Sequence, residues 1–157
     1  MPRRDIIGLV VAVLGTEAIG ALSGLAAGGD FVSFYDALHK SPATPPPAVF
    51  GPAWTVLYLL MGIAAWLVWR EGLTRQTAVA LGFFAAQLAL NFAWSLIFFG
   101  QHRIGAALLE IAVLWLVILA TIIAFWIVRP AAGALLLPYL GWVSFAAYLN
   151  AGIWRLN

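Results

Sequence analysis

The stretch Ile104–Val128 reads IGAALLEIAVLWLVILATIIAFWIV and contains a single charged residue, Glu110. Crossing the hydrocarbon core of a bilayer takes about 20 predominantly apolar residues in a helix, and this run exceeds that. Membrane-spanning strands are about half as long and alternate polar with apolar residues; no such alternation exists here. A helix also satisfies its own backbone hydrogen bonds where no water is at hand. The stretch therefore predicts a transmembrane helix, closed by Arg129-Pro130.

Four more runs of the same kind lie on either side. Ile6–Ala27 is interrupted only by Glu17. Ala48–Trp69 closes at Arg70-Glu71, Thr77–Gly100 at Gln101-His102-Arg103, and Ala131–Trp154 at Arg155. The expectation is an all-α integral membrane protein, a five-transmembrane-helix bundle forming one domain over residues 1–157. Its helices would span 6–27, 48–69, 77–100, 104–128 and 131–154. Composition agrees: 64% of the 157 residues are hydrophobic and 9% charged, with a mean hydropathy of +1.01. Soluble domains are about half apolar and about one quarter charged, and a soluble fold of this size lacks the interior to hide so much apolar surface.

The charges exclude several function classes. The net charge is +2, and no Lys/Arg cluster is present to neutralise phosphates, so no nucleic-acid partner is expected. Without cysteine there are no disulfides and no thiolate metal sites. The sequence shows no Ser–His–Asp set, no phosphate-binding loop and no metal-ligand spacing, so neither a metal nor a required cofactor is expected. His39 and His102 fall in loops and read as solvated, not as haem ligands.

Arg3-Arg4 followed by Ile6–Gly15 has the outline of a signal peptide, with a conceivable cleavage site around Ala18–Ala21. The apolar character resumes after Glu17 and continues to Ala27, which favours a retained first helix. Arg3, Arg4, Arg70, Arg75 and Arg129 fall on the N-terminal side, and Lys40, Arg103 and Arg155 on the other. The positive-inside rule then favours a cytoplasmic N-terminus.

Most connections are short, which makes successive helices antiparallel neighbours. The exception is the loop 28–47, with Asp30, Asp36, His39, Lys40 and the run Pro42-Ala43-Thr44-Pro45-Pro46-Pro47. Phe31–Leu38 is expected as a short amphipathic turn on the membrane surface. The prolines should follow as a stiff extended segment, and the whole loop is a candidate lid.

Small residues recur every four positions on two helices: Ala12, Thr16, Gly20 and Gly24 on the first, Ala85, Ala89 and Ala93 on the third. Such stripes let helices approach closely, either within the bundle or across a homodimer seam.

Polar groups inside the membrane call for partners or a purpose. Gln87, Asn91 and Trp94 share one face of the third helix. Trp54, Tyr58 and Met61 share a face of the second; Pro138, Trp142, Phe145 and Ala146 share one of the fifth, which Pro138 should kink. If these faces converge, they form an aromatic cavity with two amides to orient a guest, the usual make-up of a small-molecule site. Gln87 and Asn91 are equally able to hold neighbouring helices together. Trp66, Trp69, Trp126 and Trp154 lie near segment ends and read as interface anchors. Glu17 and Glu110 read either as a proton relay or as neutral carboxyls in helix contacts.

Several runs together resemble the translocator protein family, also called tryptophan-rich sensory proteins or peripheral-type benzodiazepine receptors. They are Tyr35-Asp36-Ala37-Leu38 to Lys40, Pro45-Pro46, and Phe50-Gly51-Pro52-Ala53-Trp54-Thr55 with Tyr58. The third helix adds Gln87-Leu88-Ala89-Leu90-Asn91, Trp94-Ser95 and Phe98-Phe99-Gly100. The fifth adds Pro138-Tyr139-Leu140-Gly141-Trp142 through Leu149-Asn150, and Trp154-Arg155. The resemblance implies a pocket under the first loop that binds porphyrins, notably protoporphyrin IX, and benzodiazepine-type ligands. It implies ligand-binding roles for Trp54, Gln87, Asn91, Trp94, Trp142 and Ala146, to which the converging helix faces add Tyr58 and Phe145, with Lys40, Pro45 and Pro46 in the lid. Trp54 and Trp142 match the tryptophans implicated in porphyrin degradation by some members. A homodimer in a bacterial cell membrane is consistent with it. The chain departs from the family in having Phe34-Tyr35 for Trp-Tyr, and in Lys40-Ser41-Pro42-Ala43-Thr44-Pro45-Pro46, which lacks the loop tryptophan. Tyr148 stands one residue too far from Arg155 for the proposed cholesterol motif, so physiological cholesterol binding is not expected.

Three functions follow as expectations. The first is a receptor or carrier for porphyrins and similar hydrophobic planar ligands, linked to tetrapyrrole homeostasis or stress signalling. The second is a light-dependent porphyrin-degrading enzyme. The third is a proton-coupled transporter using Glu17 and Glu110, against which the lack of visible inverted repeats counts.

Overall fold

The computed structural model describes residues 1–157. Helix α1 runs Arg3–Ala26 and the short α2 runs Phe31–Ala37. A 3-10 turn at Pro47–Val49 leads into α3, Phe50–Arg70. Helix α4, Arg75–Ser95, continues through a π turn at Leu96–Gly100. Helix α5 is Ile104–Val128, and α6, Pro130–Leu135, is followed by α7, Leu137–Leu156. Five spans result: α1, α3 with its leading turn, α4 with its π turn, α5, and α6–α7. Span α5 has the predicted limits; the others extend a few residues into the charged breaks, where a helix end still places Arg3, Arg70 and Arg75 at the membrane boundary.

Helix α1 packs on α3 and α4, α4 on α5, α5 on α6 and α7, and α6 closes the ring on α3. The α1–α3 crossing answers one of the two small-residue stripes. A Cβ on Gly62 would lie 2.7 Å from Val13 Cα and 3.0 Å from the Ala12 carbonyl oxygen, and one on Gly20 would lie 2.6 Å from the Tyr58 ring. Thr16 fills the same seam and donates to the Tyr58 carbonyl at 2.8 Å. Ala12, Thr16 and Gly20 of this stripe are thus used inside the bundle, while Gly24 is exposed and a Cβ there would meet nothing within 4 Å. Ala85 and Ala89 are exposed on α4.

On the N-terminal side, Asp5 pairs with Arg70 at 3.1 Å and Glu71 with Arg129 at 2.6 Å. Trp66 and Trp69 differ from the expected belt role. Trp66 is buried and donates to the Asp5 carbonyl at 2.9 Å, while Trp69 packs on Gly8 beneath Arg4. Both hold α1 to α3. Trp126 and Trp154 do face outward.

The fifth span breaks at Leu136 (φ −90°, ψ −9°), and Pro138 sits in the first turn of α7. A proline there lacks a hydrogen that the first turn would leave unbonded anyway. The break therefore falls just before the proline.

Candidate functional site

Helix α3 packs on α6, but the backbones of α3 and α7 stand apart. The gap is a cleft of about 850 Å³. Ala53 and Leu57 from α3, and Trp142 and Phe145 from α7, form its walls. Val49, Pro52, Val56, Pro138 and Gly141 form an exposed rim, so the cleft opens sideways toward lipid. No charged side chain lines it. Trp54 packs edge-on to Trp142 with 6.5 Å between ring centroids, and Phe145 stands 5.9 Å beyond Trp142. Ala146 is half-buried against the core beside them.

Behind the cleft lies a continuous chain of hydrogen bonds across three helices. Tyr58 on α3 donates to Asn91 Oδ1 on α4 at 2.7 Å. Asn91 Nδ2 donates to the Tyr139 hydroxyl on α7 at 2.8 Å, and Tyr139 donates to Gln87 Oε1 at 2.7 Å. The Gln87 amide N–H group faces Met61 Sδ at 3.8 Å. All four polar residues are buried. Of the two open readings of the amides, the geometry favours helix tethering: both amide oxygens are already partnered, and neither amide lines the cleft.

Trp94 belongs to a second aromatic cluster. It stacks on Phe98 at 5.0 Å, meets Phe99 edge-on at 5.8 Å, and donates to Asn150 Oδ1 at 3.1 Å. This cluster supports α2 through Phe34 and Phe31. The lid then connects to the cleft by an aromatic relay, with Tyr35 against Phe50 at 6.4 Å and Phe50 against Trp142 at 6.0 Å.

The lid is pinned at several points. His102, in the left-handed region (φ 56°), stacks on Phe34 at 3.9 Å, with Nε2 3.5 Å from Asp30. Lys40 Nζ donates to the carbonyls of Tyr35 (2.6 Å) and Leu38 (3.0 Å) and lies over the Tyr35 ring. It closes the end of α2 and has little left to offer a ligand. The Asn157 side chain accepts from the His39 N–H at 3.0 Å and donates to the His39 carbonyl at 2.9 Å. The expected extended run is partly folded: Ser41–Thr44 closes as a turn with Thr44 N–H donating to the Ser41 carbonyl at 3.0 Å. Pro45 is half-buried, while Pro46 is exposed and extended and opens the 3-10 turn that delivers Val49 to the cleft rim. Burial, with the Asp36 carboxylate next to it, holds the Tyr35 phenol above its ordinary pKa.

The polar atoms left buried and unpartnered are Thr44 Oγ1 and both carboxyl oxygens of Glu110. No hydrogen bond joins Glu17 or Glu110 to another titratable side chain. The residues that sequence reasoning left unassigned are Tyr139, Asn150 and Phe50. A phenol in mid-membrane needs a partner, and that need was the available signal for Tyr139.

Five helical spans, a lateral aromatic cleft and a pinned loop above it define a polytopic helical membrane protein with a cleft that opens toward lipid. The sequence profile of the TspO/MBR family matches residues 10–155. The chain is 39% identical over 153 residues to the tryptophan-rich protein TspO of Archaeoglobus fulgidus, covering 98% of this chain and 99% of that one. It is 42% identical over 131 residues to the human translocator protein, covering 82% and 78%. With the tryptophan-rich sensory protein of Cereibacter sphaeroides it shares 45% over 124 residues, covering 79% and 77%. The chain belongs to the TspO/MBR family, and it is an integral, multi-pass membrane protein.

Proposed function

We propose that the cleft between α3 and α7 binds porphyrins, protoporphyrin IX among them, and similar hydrophobic planar molecules, and that the protein acts as their membrane receptor or carrier. Tetrapyrrole homeostasis or stress signalling is the corresponding role. The observation that carries this reading is the wall formed by Trp142 and Phe145, with Trp54 packed edge-on against Trp142 outside the lining, behind an uncharged mouth open to lipid. A flat apolar guest dissolved in the bilayer reaches such a mouth without crossing water. Aromatic contact adds about 1 kcal/mol per ring pair beyond area burial. The polar edge of the guest would lie toward the lid and the membrane surface, since the buried amides are occupied.

Dark titration of purified protein with protoporphyrin IX, followed by tryptophan quenching, tests this. Trp142→Ala should raise Kd about tenfold, the equivalent of roughly 1.4 kcal/mol. Quenching that never saturates, and is the same in both proteins, would remove the proposal.

The second reading, light-dependent porphyrin degradation, draws on the Trp54–Trp142 pair at the same cleft. The bound pigment would supply the photochemistry and the protein the positioning. Illumination in air should bleach the bound porphyrin in wild type and not in Trp142→Phe; an unchanged spectrum in wild type would dismiss it.

A further inference from the structure

A second groove lies on the far flank of the bundle, between the start of α4 and the end of α5. It holds about 600 Å³. Ala120 and Ala124, one turn apart on α5, leave a hollow flanked by Val79 and Phe83 of α4. Val79 and Phe83 are 51% and 40% exposed, so the hollow faces the hydrocarbon directly. At its boundary end stand Arg75 and Gln76.

Three observations give this groove a chemical preference. First, the N-terminal face carries five arginines and only two carboxylates, Asp5 and Glu71. Both carboxylates are already paired, with Arg70 and Arg129, and Arg75 has no ion-pair partner. Second, Arg75 opens α4, and the backbone N–H groups of Arg75 and Gln76 have no acceptor in the chain, while Thr74 caps only the N–H of Thr77. Unbonded N–H groups at a helix start favour an anion, phosphate above all. Third, the guanidinium and the apolar hollow are continuous, with the charge at the membrane boundary and the hollow running inward.

We infer that this groove is a binding site for an anionic phospholipid, with its phosphate on Arg75 and the start of α4 and an acyl chain along Val79, Phe83 and Ala120. A free phosphate would leave the hollow unexplained, and an uncharged lipid would leave the guanidinium unexplained.

Native mass spectrometry of the purified protein, titrated with phosphatidylglycerol and phosphatidylcholine of matched chains, tests the site. Wild type should retain one phosphatidylglycerol at least fivefold more tightly than phosphatidylcholine. Arg75→Gln should bring the two lipids level, and Arg155→Gln, on the other side of the membrane, should leave the preference intact. Filling the hollow with Ala124→Phe, or with the milder Ala120→Leu if the first variant is not recovered folded, should weaken both lipids. The site is refuted by equal retention in wild type and Arg75→Gln, or by full displacement of the lipid by glycerol phosphate. It is equally refuted if filling the hollow changes the oligomeric mass, which would mean a second copy occupies the groove.

Discussion

Asn91 is held between two phenols, accepting from Tyr58 on α3 and donating to Tyr139 on α7. Its spacing with Gln87 and Trp94 places all three on one helix face, and that is visible in the sequence. The tyrosines that saturate the amides are not, because the pairing depends on which helices lie side by side. Tyr58 and Tyr139 also fall among the residues counted as hydrophobic in the composition, although each carries a hydroxyl. The consequence is a split between binding and stability. Asn91→Ala removes two interhelical bonds, worth about 0.6 kcal/mol each in membranes, and leaves a buried hydroxyl bare. It should destabilise the folded protein by roughly 1–2 kcal/mol, read as a lower midpoint in denaturant-detergent unfolding. Porphyrin affinity of the folded fraction should change little, in contrast to Trp142→Ala. A loss of affinity with unchanged stability would return Asn91 to the ligand.

Tyr35 supplies a pH dependence at the same scale. Its phenol is held above the ordinary value of 10.0 by burial and by Asp36, so the folded lid prefers the neutral form. The unfolded lid then releases its proton at lower pH than the folded one, and stability falls as pH rises beyond about 10. Below that value both states are protonated and the residue contributes no slope. Hydrogen exchange of residues 31–37, normalised for intrinsic base catalysis, should lose protection in this alkaline window. Tyr35→Phe should flatten the profile; an identical profile in the variant would show that another group controls it.

At the scale of elements, the five spans were legible because their length and uninterrupted apolar character leave no alternative. Ile104–Val128 has the same limits in sequence and structure. The fifth span is less simple, since its break depends on how Pro138 begins α7 and not only on the lost hydrogen bond. The lid was legible as a long Pro-rich loop, but its fastenings were not. The reciprocal bonds between Asn157 and His39 join residues 118 positions apart, and no local pattern marks them. Asn157→Ala should free the lid at this end. Porphyrin dissociation should accelerate several-fold, on the scale of one or two hydrogen bonds of about 1 kcal/mol, with little change in global stability. Stopped-flow dissociation into excess apomyoglobin measures it, and unchanged rates would mean that this contact does not govern the lid.

For the whole molecule, the order of helices around the ring decides what the composition means. The close seam of α1 on α3 uses the stripe Ala12, Thr16 and Gly20 internally, while the exposed Ala85 and Ala89 remain on the outer surface. Because α6 and not α7 closes on α3, the two helices part and the cleft opens toward lipid. The aromatic residues were nameable from sequence; the sideways opening was not, since it arises from the break at Leu136 and the resulting path of α7. This lateral cleft is the proposed seat of a planar apolar ligand. Gly141 lies on its rim, where a Cβ would meet nothing within 4 Å, and the same open space surrounds Gly82 on the outer face of α4, away from the cleft. The decisive measurement is the dark dissociation constant of protoporphyrin IX for wild type, Gly141→Phe and Gly82→Phe. At least a tenfold weakening is expected in Gly141→Phe and wild-type affinity in Gly82→Phe. Equal affinity in all three proteins, or a loss confined to Gly82→Phe, would contradict it.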